Sequence, residues 1–88
     1  MYTVEMFIGE NNKTHVLELE TLKEVLNSRH EGYTVSVVTG AWHGVEETTA
    51  RVLVSDNRSK IAGTINKLKK VLQQEAIAWH EVTPLQFT

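Results

Sequence analysis

The residues able to do chemistry lie far apart, and one short segment gathers several of them. Gly40-Ala41-Trp42-His43-Gly44 sets a large π-surface and a titratable imidazole between two glycines. Glycine lets backbone approach a ligand closely, and an aromatic ring stacks on a base or a sugar, so this segment is the first candidate for ligand binding. Trp42 is equally suited to anchoring a subunit contact, where Trp is enriched and buries a large area. Arg51 stands inside a β-branched stretch, and a charge there needs a partner: a carboxylate such as Glu5 or Glu47, or an anionic ligand. Gly40, Trp42, His43, Gly44 and Arg51 form the candidate ligand-binding set.

Signals for catalysis and for metals are missing. The four histidines, His15, His30, His43 and His80, have no metal-ligand spacing, and no His-Glu-x-x-His pattern occurs. Zero cysteines exclude disulfides, thiolate ligation and a thiol nucleophile. No Gly-x-Ser-x-Gly elbow, P-loop or Gly-x-Gly-x-x-Gly is present. His43, beside Glu46 and Glu47, and His80 are the imidazoles that could serve as a general base. No catalytic residue, metal or cofactor is assigned.

The elements that must position these residues follow from periodicity. Tyr2, Val4, Met6 and Ile8 alternate with Thr3, Glu5 and Phe7 and lead into Gly9-Glu10-Asn11-Asn12, a strand and a turn. Residues 14–17 fit a loop, a short strand or an early helical turn. Leu19, Leu22, Val25 and Leu26 recur at helical spacing, and Arg29 and Gly32 give a basic last turn and a stop, so a helix is expected over roughly 19–30. Residues 33–39 and 48–54 are β-branched strands with an eight-residue connection whose ends can extend them. Ser55-Asp56-Asn57-Arg58-Ser59 is rich in caps, and Ile61, Ile65, Leu68 and Leu72 define a second helix. A final strand covers residues 76–82 and ends at Pro84.

The order β-α-β-β-α-β is the ferredoxin-like arrangement, an α+β fold with two helices on one face of a four-stranded antiparallel sheet, in one domain over residues 1–88. The other face is expected to carry Thr3, Glu5, Phe7, Thr34, Ser36, Val38, Thr49, Arg51 and Leu53, with Trp79 and Glu81 where register permits. That mixture is too apolar to stay fully wet, which predicts a second copy of the chain against it.

Composition sets the outer limits. Eighty-eight residues, 41% hydrophobic and 23% charged, make an ordinary globular chain with room for one modest core. Net charge −2 argues against general nucleic-acid binding. That average hides an asymmetry: residues 58–70 hold five basic groups and no acid, leaving four basic against eleven acidic elsewhere, +5 against −7. The lysines spread around the second helix, the pattern of a solvated face. The N-terminal stretch lacks a basic n-region, and no apolar run approaches the ~20 residues of a membrane span, so a cytoplasmic protein is expected.

Gly32-Tyr33-Thr34-Val35, Gly40-Ala41-Trp42, the strand from Glu47 to Val54 and Gln74-Glu75-Ala76-Ile77 together resemble an uncharacterised bacterial family with Gly-x-Thr-Val, Gly-x-Trp and Gln-Glu-Ser-Val motifs. More distantly, a helix followed by Gly-x-Thr-Val and a Gly-rich loop is similar to PII-type signalling proteins. That resemblance implies a trimer of this same plan holding an adenine nucleotide between subunits. The chain has a short inter-strand loop and lacks the Thr-Gly-x-x-Gly-Asp-Gly phosphate loop of those proteins, so a site here must use other residues. The expectation is a non-enzymatic homo-oligomer, dimer or trimer, binding a nucleotide-type anion between subunits for signalling or sequestration, such as a viral sponge of a host nucleotide signal. The alternatives are a structural or adaptor oligomer without a ligand, and a small dimeric α+β barrel enzyme using His43 or His80.

Overall fold

The computed structural model describes residues 2–83, apart from the side chain of Trp42. Strand β1 (Tyr2–Ile8) is followed by α1 (Leu19–Arg29), β2 (Thr34–Trp42), β3 (Val45–Asp56), α2 (Arg58–Val71) and β4 (Ala78–Val82). The four strands form one antiparallel sheet in the order β2-β3-β1-β4, the ferredoxin-like fold expected from the element order. The expected end of the last strand at Pro84 lies outside the described residues.

Alternation along β1 and β3 builds the core. Val4, Met6 and Ile8 pair with Val54, Val52 and Ala50, so all six side chains leave the same face. They meet Leu22, Val25 and Leu26 of α1 and Ile61, Ile65, Leu68 and Leu72 from the α2 stripe, each at most 8% exposed. Burying one such side chain contributes about 1.5–3 kcal/mol, and this two-layer packing is the main source of stability.

Caps and turns set the boundaries. Asn57 caps α2, its side chain accepting from the Lys60 N–H at 2.9 Å, while α1 begins without a side-chain cap. Residues 14–17 resolve as part of a loop organised by Asn11, which is 4% exposed and accepts from the N–H groups of Lys13 and Thr14.

The ends of the eight-residue connection do extend the strands: both run on until Trp42 pairs with Val45, which leaves a two-residue turn, His43-Gly44. His43 (φ 52°) and Gly44 (φ 77°) both lie in the left-handed region, the pattern of the tight hairpin turn whose twist matches its strands. On β4 the register places His80, not Trp79 or Glu81, on the helix-free face: His80 pairs with Glu5, whereas Trp79 and Glu81 pair with core-facing Met6 and Val4. β4 also starts at Ala78 rather than at residue 76.

Candidate functional site

Two clusters lie along the sheet, drawing on residues of its helix-free face. The first is a cleft of about 390 Å³ at the end where β1 stops, lined by Phe7, Gly9, Glu10 and Asn12, by Gly40, Ala41, Glu47 and Thr49 of the β2–β3 hairpin, and by residues 74–78 ahead of and entering β4. Its volume falls within the range of small-molecule sites. Among the described residues the lining holds three carboxylates, Glu10, Glu47 and Glu75, and no Lys, Arg or His.

The cleft walls are tied together by hydrogen bonds. Glu47 Oε2 accepts from the Glu10 N–H at 3.3 Å, and Glu10 Oε2 accepts from the Thr48 N–H at 2.8 Å, fixing two carboxylates against facing backbone. Gln74 Nε2 donates to the carbonyls of Glu10 (3.0 Å) and Gly9 (3.4 Å), joining the segment before β4 to the end of β1. The glycines have steric reasons. A Cβ on Gly9 would stand 2.6 Å from Glu47 Oε1, and one on Gly40 would stand 2.5 Å from Thr49 Oγ1.

The second cluster lies farther along the same face. Glu5 binds Arg51 through Oε2, and its Oε1 accepts from His80 Nε2 at 2.7 Å. The His80 contact, with Arg51 beside it and against some desolvation, holds the Glu5 carboxyl below its ordinary range. Arg51 therefore takes the first of its two expected carboxylate partners. Phe7 is the cross-strand neighbour of both Arg51 and Ala78, so it stands between this ion cluster and the cleft.

A third arrangement has the geometry of a catalytic triad. His30 Nδ1 lies 2.8 Å from Asp56 Oδ2, and His30 Nε2 lies 2.8 Å from Thr64 Oγ1. Access decides against catalysis. The His30 side chain and Thr64 are both 0% exposed, so no substrate reaches the hydroxyl. That hydroxyl also accepts from Arg29 Nε and donates to the Lys60 carbonyl, at 2.8 and 2.9 Å. The cluster is a clasp joining the ends of α1 and β3 to α2. Burial pushes the Asp56 carboxyl up, but hydrogen bonds from His30 and the Asn57 N–H, with the Lys60 charge, outweigh it and hold the group below its ordinary range.

The predicted site residues separate. Gly40 lines the cleft; His43 and Gly44 form the hairpin tip; Arg51 belongs to the Glu5 cluster. The side-chain role expected of Trp42 lies outside what is described. Sequence reasoning missed the cleft carboxylates, because Glu10, Glu47 and Glu75 converge only through the sheet register; it also missed the His30 clasp, whose members are spread over 35 positions from Arg29 to Thr64. Elsewhere Arg58 lies over the Tyr2 ring at 4.4 Å and reaches Glu81 at 3.9 Å, so the cation at the start of α2 is engaged within the chain. Among the described residues no cluster suits a metal ion, and no helix is long and apolar enough to cross a membrane.

No family model matches the chain, and no curated protein matches it in sequence. Solved structures do match its fold. A phage SAM lyase in its apo state is 13% identical with a TM-score of 0.63, covering 99% of this chain and 92% of its own. A DUF3240 family protein from Shewanella baltica is 11% identical with a TM-score of 0.65, over 99% and 93% of the two chains. The divalent cation tolerance protein CutA1 of Thermus thermophilus is 11% identical with a TM-score of 0.62, over 98% and 87%. At these identities the likeness is one of fold, and the short sequence motifs find no matching family.

Proposed function

We propose that this chain is a homo-oligomeric binding protein for a small, positively charged molecule of nucleoside type, held in the cleft at the end of β1. The observation that carries the reading is the composition of that cleft among the described residues: three carboxylates, no basic side chain, and apolar lining from Phe7, Ala76, Ile77 and Ala78. Carboxylates fixed by backbone N–H groups attract a cation and repel a phosphate. This replaces the anionic ligand expected from Arg51, whose guanidinium is bound to Glu5.

Apolar lining beside glycines suits a flat base, and the carboxylates suit an ammonium or sulfonium centre. S-adenosylmethionine, the molecule in the name of the phage lyase of like fold, unites these features and is the first ligand to test. A second copy of the chain lies over the helix-free face, where Phe7, Val38 and Leu53 remain partly exposed around the Glu5 cluster.

Thermal shift against adenosine compounds of different charge tests the reading. S-adenosylmethionine should raise the melting temperature, with ligand at 100 times Kd adding about 2.7 kcal/mol. S-adenosylhomocysteine, lacking the sulfonium charge, should do so less, and ATP not at all. Equal shifts for ATP and S-adenosylmethionine, or none for either, would refute it.

A further inference from the structure

The two edges of the sheet are defended unequally. β4 is five residues long and carries His80 and Glu81, charged or chargeable groups of the kind that blunt an edge. β2 is nine residues long, Thr-Val-Ser-Val-Val-Thr-Gly-Ala-Trp, with no charge and no proline along its whole length. In an antiparallel pair alternate residues turn their N–H and C=O groups away from the partner, so β2, bonded among the described residues only to β3, presents a row of backbone groups about 30 Å long, at about 3.4 Å per residue, that no other described strand pairs.

Two side chains show what covers this edge. Val37 lies on the helix side of the sheet and is 52% exposed; Val38 lies on the helix-free side and is 37% exposed. A helix or a loop laid on one face of the sheet would shield one of them and leave the other wet. A strand added alongside β2 shields both and pairs the backbone as well.

We propose that β2 pairs antiparallel with β2 of a second copy, about a two-fold axis normal to the sheet, giving a continuous eight-stranded sheet with all helices on one side. The charge pattern selects this partner. An uncharged edge is complementary to itself, since a two-fold contact sets like residues near like, and a charged edge in that arrangement would repel. The pairing rests on the reading of the chain as a homo-oligomer but names a contact distinct from the helix-free face.

Hydrogen exchange of the native protein, with light scattering on the same sample, tests it. At micromolar concentration the mass should correspond to an even number of copies, and the β2 amides that do not bond to β3 should be protected and lose that protection on dilution. Val37→Lys, a change at a half-exposed position on the helix side, should halve the mass and expose the same amides, whereas Leu53→Lys on the helix-free face should leave them protected. An odd number of copies, or outward β2 amides that exchange freely at every concentration, would overturn the pairing. An oligomer unmoved by Val37→Lys but dissociated by Leu53→Lys overturns the pairing and keeps the homo-oligomer. A monomer at all concentrations overturns both. Should Val37→Lys fail to fold, the amide pattern of the native protein decides alone.

Discussion

Thr64 shows how much one hydroxyl can hold. Its single oxygen meets His30, Arg29 and the Lys60 carbonyl inside a fully buried site. Thr64→Val keeps the volume but strands two nitrogen groups, and it should cost about 1–3 kcal/mol per group left unpaired, read as a shift in urea midpoint. Asp56 supplies the pH dependence. Its folded pKa lies below its ordinary value, so its contribution to stability is complete above about pH 4, the unfolded range, and is lost as pH falls through the lower folded value. The deficit of Asp56→Asn relative to the native chain should therefore be largest near neutrality and shrink in acid; a deficit constant with pH would show that Asp56 acts through packing alone. None of this clasp was legible in the sequence, because His30 reads there as the basic last turn of a helix, and only the α1–α2 packing brings it to Thr64.

At the scale of elements, the period-two pattern of β1 and the 3.6-residue stripe of α2 were readable because each buries one face, and burial fixes the period. Both match the structure to within a few residues. The β2–β3 hairpin was harder, since a Gly-rich, aromatic segment reads as a loop until pairing is known. The turn lies in His43-Gly44, and the pairing of Trp42 with Val45 turns the remainder into strand. The consequence is testable. Gly44→Val, placing a β-branched residue at φ 77°, should cost about 1–2 kcal/mol, whereas Gly44→Asn, a residue tolerant of the left-handed region, should cost clearly less. Equal effects would contradict the tight-turn assignment. Gly40, expected to let the backbone approach a ligand closely, also has a steric reason, because Thr49 Oγ1 occupies the space a side chain there would need.

At the scale of the whole molecule, alternation alone separated the two faces of the sheet correctly for β1, β2 and β3 and failed for β4, where a register offset of one residue exchanges every side chain between faces. That offset matters for function, because it places His80 rather than Trp79 beside Glu5. The net charge of −2 was no guide to the ligand either, since the basic groups gather on α2 while the cleft collects acids. Gly9→Ala probes that arrangement. The added methyl meets the Glu47 carboxylate at 2.6 Å and displaces it from the Glu10 N–H, so cation binding should weaken and the melting temperature of the unliganded protein should fall slightly with the lost hydrogen bond.

Calorimetric titration of S-adenosylmethionine into the native protein and into Glu47→Gln, a change that removes one cleft charge and keeps its shape, is the most direct test of a cation-binding cleft. Binding by the native chain should be saturable and weakened about tenfold, or about 1.4 kcal/mol, in Glu47→Gln. Equal affinity for the two proteins, or heat from neither, would contradict it.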